Sequence, residues 1–208
     1  TLNEDTVKVL SLSDFGTFSD ADNDSLVAIK LSDLPATGGL EYNNGVSWVK
    51  LSKQPNAPDF EITTSDISAN KLRFVPDSNT YSTSDLYTTI DFQVKDSSGA
   101  YSSTKQLDVN VSAVPDTSVN YVSSDNLVNI SEAGGVITIS GIKDSGDRVE
   151  IGFGSTTLTD TSAGVNWSVS LPANSLQPGG NNFTVTSTNT SSTNTTISNF
   201  SVTYDNVN

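Results

Sequence analysis

The chain has 208 residues, and its 24 acidic and 10 basic side chains give it a formal charge of −14. This charge disfavours binding to nucleic acid and to anionic lipid surfaces, and no apolar run approaches the roughly 18 residues of a membrane span. Because Cys and His are both absent, disulfides, zinc–thiolate sites and Ser-His-Asp or Cys-His catalysis are excluded.

Apolar residues alternate with polar ones along much of the chain, which is typical of strands buried on one face. No window longer than ten residues has helical spacing. The clearest alternating segments are 90–94, 107–111, 149–153, 167–171 and 200–204. Turn sequences separate the segments at 43–45, 96–99, 144–146 and 178–180. This pattern predicts an all-β chain of antiparallel β-sandwiches with Greek-key connections.

The densest group of charges comes early, where Asp20, Asp22 and Asp24 alternate with other residues between two apolar segments. Three carboxylates so close together repel one another, and calcium, which prefers six to eight oxygen ligands, relieves that repulsion. An EF-hand needs Gly at the sixth loop position and Glu at the twelfth, but these positions hold Ser25 and Leu31. Any calcium site must therefore recruit ligands from elsewhere in the chain.

The assumed sandwich topology indicates where those ligands lie. If the first strand begins near Thr6 and the last hairpin turns at Asp96, the start of the chain, the acidic loop and that hairpin share one end of the domain. We therefore expect Asn3, Glu4 and Asp5 to join the three loop carboxylates and Asp96 around at least one calcium ion. The alternative is an ordinary solvated turn, because Asp and Asn are common in turns.

A domain boundary is expected near 114–117, since an alternating strand ends there at Pro115, which cannot donate to a sheet ladder. This predicts two domains, 1–116 and 117–208. The first holds 17 acidic and 8 basic residues, and the second holds 7 and 2. Most of the excess negative charge therefore belongs to the first domain.

Three further features concern the second domain and the two tryptophans. Segment 186–199 is almost entirely Ser, Thr and Asn, a composition that fits either disorder or a polar hairpin; flanking residues in strand rhythm favour the hairpin. Trp167 alternates with Val169 and is interpreted as core. Trp48 lies in a less regular segment, 46–60, and is therefore a candidate ligand contact.

A set of short motifs lies along the first half: Asn3-Glu4-Asp5, 18–26 with its three aspartates, Leu34-Pro35, 72–76 and 92–96. In these motifs the first half resembles the cadherin-like repeats of giant bacterial adhesins secreted by type I (RTX) systems. The resemblance spans nearly all of domain 1, and Asn23 stands where that family usually has glycine in the acidic loop. The resemblance implies calcium binding.

The second half has its own set of motifs, at 136–137 leading to Gly141, 167–169, 176–179, 183–186 and 204–205. In these motifs it resembles the bacterial immunoglobulin-like repeats of the same adhesins. The loop that is often acidic in that family, here 189–194, has no carboxylate, so a calcium site there is not expected. The resemblance implies that Asp116 and Asp205 bind calcium at domain junctions, with an ordinary turn role as the alternative.

Together these features predict a calcium-stabilised extender segment of a bacterial surface adhesin, extracellular and monomeric, whose partners are neighbouring domains of the same long chain. Such a segment projects a distal binding region for cell adhesion or biofilm formation. The alternative is a module that binds a host or bacterial surface peptide or glycan with calcium. A third possibility is an accessory domain of a polysaccharide enzyme. No residue pattern supports catalysis by this chain itself, because its acids cluster in turns.

Overall fold

The computed structural model describes residues 1–53, 58–83 and 86–206. It divides into two compact units, Thr1–Ser112 and Ala113–Asn208. The division falls four residues before the predicted end of the first domain, because the backbone oxygens of Ala113 and Pro115 accept hydrogen bonds from Ser192, Asn194 and Thr196 of the second unit. None of the helices in the described residues is long and apolar enough to cross a membrane.

The first unit contains ten strands and two short helical turns among its described residues. A 3₁₀ turn covers Leu12–Phe15, and α1 covers Thr64–Ser68. The strands are β1 (Leu2–Asn3), β2 (Lys8–Val9), β3 (Leu26–Leu31), β4 (Gly39–Asn43), β5 (Trp48–Lys50), β6 (Phe60–Thr63), β7 (Leu72–Val75), β8 (Thr88–Asp96), β9 (Lys105–Val109) and β10 (Val111–Ser112).

Two four-stranded sheets form the sandwich of the first unit, in the orders β2-β7-β4-β5 and β6-β3-β8-β9. All pairs within them are antiparallel, whereas β1 pairs with β10 in parallel. Strands that are consecutive in the chain, such as β3 and β4 or β6 and β7, lie in different sheets, so the chain crosses repeatedly between the two sheets. The core between them is apolar, with Ile29, Ile67, Leu72 and Ile90 fully buried.

The second unit contains eight strands, a 3₁₀ turn at Val122–Ser124 and α2 at Ile130–Ala133 among its described residues. The strands are β11 (Thr117–Val119), β12 (Leu127–Asn129), β13 (Ile137–Lys143), β14 (Arg148–Phe153), β15 (Thr156–Asp160), β16 (Asn166–Leu171), β17 (Gly179–Thr188) and β18 (Thr195–Asp205).

A three-stranded sheet, β11-β13-β16, packs against a five-stranded sheet, β12-β18-β17-β14-β15. Trp167 is 1% exposed in the core between them, as predicted, and its Nε1 donates to Ser118 O at 3.1 Å. A stack of Phe153, Phe183 and Phe200 extends across three strands of the larger sheet, with centroids 4.5 and 4.9 Å apart. The prediction of all-β antiparallel sandwiches is confirmed.

The second unit has its chain ends at opposite poles. β11 begins beside Lys143, next to the turn where β14 begins, and this end is called the N-terminal pole. β18 starts at this pole beside Thr188 and ends at Asp205 beside Asn129. Its eleven residues extend about 33 Å at roughly 3.3 Å per residue, so the chain passes from one pole to the other.

The structure agrees with the predicted strands, with local differences. The predicted segment 107–111 is interrupted at Asn110, between β9 and β10. Both short helices begin at side-chain caps, where Thr63 accepts from Asp66 N and Asn129 accepts from Glu132 N, so capping rather than apolar spacing defines them. The polar segment 186–199 forms the hairpin of β17 and β18, as predicted.

Candidate functional site

The acidic loop before β3 is organised by hydrogen bonds among its own residues. Asp20 Oδ1 accepts from the backbone N–H of Asp22 at 2.8 Å and of Asp24 at 3.2 Å. Asn23 adopts a left-handed backbone with φ of 62°, a conformation that Asn tolerates better than most residues. The loop therefore turns tightly around the Asp20 carboxylate and leaves Asp22 exposed.

The loop is attached to the connection between β8 and β9. Ser97 Oγ donates to Asp24 Oδ1 at 2.8 Å and accepts from Ser25 N at 3.2 Å. Leu26 at the start of β3 lies opposite Asp96 at the end of β8. The structure thus brings Asp20, Asp22 and Asp24 to the same end of the first unit as Asp96, which is called the acidic pole.

Asp96 is held in its ionised form. Its Oδ1 accepts from the Ser98 hydroxyl and from Ala100 N, both at 2.8 Å. The Ser98 hydrogen bond and the surrounding backbone N–H groups outweigh desolvation and lower the pKa of Asp96. The acidic pole consequently keeps a carboxylate at neutral pH beside the loop aspartates.

Asn3, Glu4 and Asp5 lie at the other end of the first unit, so their predicted convergence with the acidic loop is wrong. Asn3 lies opposite Ser112, beyond the end of β9 that pairs with the start of β8. The two ends are separated by the length of β8, about 26 Å for nine residues. The prediction failed because the first short strand follows β10 in parallel, a pairing that alternation in sequence does not reveal.

At that opposite end the three residues have their own surroundings. Glu4 is only 5% exposed, and its N–H donates to Ser112 O at 2.9 Å. Asp5, with φ of 56°, accepts from Asn79 N at 3.0 Å. These contacts fix the turn between β1 and β2.

No group of three or more acidic side chains in the described parts of the chain is arranged to hold a metal ion. Ser97, which follows Asp96 in the chain, nevertheless hydrogen-bonds Asp24 of the acidic loop, and carboxylate oxygens are the ligands that calcium prefers. Calcium binding there stays a prediction.

A cleft opens beside the acidic loop, between the 3₁₀ turn and the β8–β9 connection. Its volume is about 230 Å³. Apolar groups line most of it, with Lys105 at the rim, and a second cleft of about 290 Å³ lies against the same loop near Asp20 and Asp96. The first cleft is lined by Phe15, Phe18, Leu26, Phe92, Val94 and Lys105, among others.

Trp48 lies on strand β5 rather than in an irregular loop, which corrects its predicted setting. The Arg73 guanidinium carbon is 4.0 Å from the centre of the Trp48 ring. Arg73 is in turn paired with Glu41, at 2.6 Å between Nη2 and Oε2. One face of the indole is therefore covered within the chain. Residues 54–57 of the segment that contains Trp48 lie outside the described residues.

Asp116 and Asp205, the two predicted junction ligands, lie at opposite poles of the second unit. Asp116 precedes β11, and its N–H donates to Asp144 Oδ2 at 2.9 Å. Asp205 ends β18 opposite Asn129. Each therefore has a place in the fold of this unit, and their metal binding stays a prediction.

The sequence analysis missed a buried charged group at the N-terminal pole of the second unit. The Lys143 side chain has no exposed surface, and its Nζ lies 3.0 Å from Asp160 Oδ1. A signal for it was available, because Lys143 follows Ile137, Ile139 and Gly141 at the inward-facing positions of β13. A lysine in the apolar phase of a strand indicates a buried ammonium that needs oxygen partners.

Asp147 is the second charged group that was missed at this pole. It is 1% exposed, and its Oδ1 accepts from Asn189 Nδ2 at 3.0 Å. Burial, together with the nearby carboxylates of Asp144 and Asp116, raises the pKa of Asp147.

The comparisons with known proteins give structural neighbours only. No protein-family model matches the sequence, and no curated protein sequence matches it. One solved structure similar to the chain is a bacterial immunoglobulin-like domain from the M. primoryensis ice-binding adhesin, at 30% identity and a TM-score of 0.35. The likeness covers 44% of this chain and 98% of that domain.

Two other solved structures are similar over a larger share of the chain. A structure concerning host cell surface retention of a 1.5-MDa bacterial ice-binding adhesin is 21% identical, with a TM-score of 0.39, and the likeness covers 90% of this chain but 55% of that one. The D00–D0 domain of intimin is 13% identical, with coverages of 99% and 95% and a TM-score of 0.35. None of the three is described as cadherin-like. The chain is an all-β protein of two sandwich units, and the solved structures similar to it include a bacterial immunoglobulin-like domain of an adhesin.

Proposed function

We propose that the chain is an extender segment of a bacterial surface adhesin, located outside the cell, and that calcium stabilises it. The proposal extends to this chain the adhesin role named for the neighbours above. In this role the second unit acts as a spacer in a longer chain, the first unit carries the calcium site, and neither unit catalyses a reaction.

The observation that carries the extender role is the path of the chain through the second unit. The chain begins at one pole beside Lys143 and leaves at the other beside Asn129. A unit with its ends at opposite poles adds its own length, about 33 Å for the eleven residues of β18, to any chain that contains it. A unit with adjacent ends adds little length, and this applies to the first unit, where Leu2 lies opposite Val111.

The proposed calcium site is the acidic pole of the first unit, where Asp20 accepts from Asp24 N and Asp24 accepts from the hydroxyl of Ser97, the residue that follows Asp96. Calcium bound to the folded loop but not to the unfolded chain stabilises the fold by RT ln(1 + [Ca]/Kd), which is about 1.4 kcal/mol at ten times Kd. Bound calcium also orders the loop, since it links carboxylates that repel one another in its absence.

The test is a calcium titration of the whole chain by calorimetry, followed by small-angle X-ray scattering with and without excess chelator. Saturable binding with a longer and stiffer particle is expected. Asp20→Asn should weaken binding, while Asp108→Asn, which removes an exposed carboxylate elsewhere in the first unit, should not. Asp116→Asn tests separately whether Asp116 binds calcium at a domain junction. If calcium no longer stiffens this variant but still stiffens the others, the stiffening effect depends on Asp116. No binding by the unaltered chain would refute the calcium role.

A ligand-binding module is the second candidate, and the apolar cleft beside the acidic loop favours it. In this role the cleft holds an apolar group of a surface peptide or glycan, and calcium orders the adjoining loop. Peptide and glycan arrays probed with the whole chain, with calcium and with chelator, test this function. A calcium-dependent signal that Leu26→Ser abolishes would support binding of a peptide or glycan in the cleft. The absence of any array signal would refute the ligand-binding role and favour the extender role.

A further inference from the structure

The ammonium group of Lys143 is enclosed by three oxygen atoms from separate segments of the second unit. It donates to the backbone O of Asp147, to Asp160 Oδ1 at 3.0 Å and to Ser162 O at 2.6 Å. The Lys143 side chain has no exposed surface, and that of Asp160 is 13% exposed. Since an ammonium has three donors, all of its hydrogen bonds are made within the protein.

These contacts join the end of β13, in the three-stranded sheet, to the β14–β15 side of the five-stranded sheet, and no ladder pairs β13 with either of those strands. Lys143 ends β13, Asp147 lies in the turn before β14, and Asp160 and Ser162 lie at the end of β15 and just beyond it. A single cation therefore ties three segments of the N-terminal pole together. This is the structural role that a bound metal ion plays in a loop made of oxygen ligands.

The partner carboxylate is arranged to stay ionised. Burial opposes the ionisation of Asp160, but hydrogen bonds from Ser162, Lys143 and Ser168 N outweigh it and lower the pKa of Asp160 to about 2. Removing one member of such a buried pair leaves the other charge without compensation, which is strongly destabilising.

Neutral groups of the β17–β18 turn complete the pole. Asn189 is 8% exposed, and its Oδ1 accepts from Ser191 N at 3.0 Å and from Ser192 N at 2.8 Å. Ser192 Oγ and Asn194 Nδ2 both donate to the backbone O of Ala113, at 2.9 and 2.6 Å. The start of the second unit is thus held by hydroxyl and amide groups, whose hydrogen bonds need no cation.

We propose that Lys143 is a built-in cation that organises the N-terminal pole of the second unit, so that the folding of this unit does not depend on calcium. Calcium control of folding is then confined to the first unit. The second half of this inference depends on the proposed calcium role of the acidic pole, whereas the role of Lys143 does not.

The chain provides its own reporters for a test, because it has two tryptophans, one in each unit. Trp167 lies in the core of the second unit and Trp48 on a strand of the first. In a Trp48→Phe chain the tryptophan fluorescence reports only on the second unit, and in a Trp167→Phe chain only on the first. Thermal unfolding of both whole chains is recorded in calcium and in excess chelator.

We expect the melting temperature of the first unit to fall by several degrees in chelator, and that of the second to change by less than about 1 °C. In the Trp48→Phe background, Lys143→Met should lower the melting temperature of the second unit by about 10 °C or more, given the cost of an unpaired buried charge. Lys105→Met, which removes an exposed lysine of the first unit, is the control and should leave the second unit unchanged.

A second variant separates charge from packing. Lys143→Met combined with Asp160→Leu removes both charges and should recover much of the lost stability, since replacing a whole buried pair by apolar groups is often tolerated. A second unit that melts earlier in chelator, or a Lys143→Met chain as stable as the unaltered one, would overturn the role of Lys143. Absence of a calcium effect on the first unit alone would instead refute the proposed function and leave Lys143 in place.

Discussion

Replacing Gly141 by alanine is expected to disrupt the attachment of the first strand of the second unit. A Cβ at this position would lie 1.8 Å from Ser118 O in β11 and 2.7 Å from Trp167 Nε1. These two atoms are joined by the hydrogen bond that the buried indole makes at 3.1 Å. The methyl group can be placed only if β11 moves away from β13, and that movement breaks the indole hydrogen bond.

Overpacking a core costs about 1 to 3 kcal/mol, and an unsatisfied buried donor costs a further 1 to 3 kcal/mol. We therefore expect Gly141→Ala to destabilise the second unit by about 3 to 5 kcal/mol. For a unit of this size each kcal/mol lowers the melting temperature by about 4 to 8 °C, so a fall of about 12 °C or more should be observed.

The assay is thermal unfolding of the whole chain, followed by circular dichroism and by the fluorescence of Trp167 in a Trp48→Phe background. Gly164→Ala is the matched control, since a Cβ there meets no atom within 4 Å and the glycine has no positive φ. If the Gly141→Ala and Gly164→Ala chains melt within about 2 °C of each other, the close approach of β11, β13 and the indole does not stabilise the unit as argued.

Three further predictions concern charged and aromatic groups. The pKa of Asp160 is lowered to about 2, so its ionised form stabilises the second unit fully above the ordinary carboxyl pKa. This contribution disappears as the pH falls from about 4 to 2. Acid titration followed by Trp167 fluorescence should show the loss of stability, and the Asp160→Asn chain should lack this pH dependence. The pKa of Asp147 is raised, so ionisation of this carboxyl opposes folding. Asp147→Asn should therefore raise the melting temperature of the second unit more at pH 7 than at pH 4. An equal rise in melting temperature at the two pH values would contradict this. Trp48→Ala removes the stacking with Arg73 and should cost the first unit about 0.5 to 1 kcal/mol by urea unfolding, whereas Val46→Ala, at a side chain that is 94% exposed, should cost nothing measurable.

Local patterns in the sequence were enough to predict five of the longer strand segments and the hairpin of residues 186–199. Alternation places Val149, Ile151 and Trp167 in a core because each strand side chain points to one face only, and this rule depends on nothing remote. The helices α1, of five residues, and α2, of four, were not predicted, because helical periodicity can be recognised only over more residues than they contain. Their capping residues are the local signal that the sequence offers.

The candidate sites divide in the same way. The spacing of Asp20, Asp22 and Asp24 is enough to predict that they share one loop, and the sequence also predicts the hairpin turn at Asp96. The fold is needed to show that Asn3, Glu4 and Asp5 lie at the other end of the first unit, that Arg73 covers Trp48, and that Lys143 meets Asp160. Each of these depends on which strands become neighbours, and strand pairing depends on contacts between residues far apart in the chain, which a local pattern does not contain.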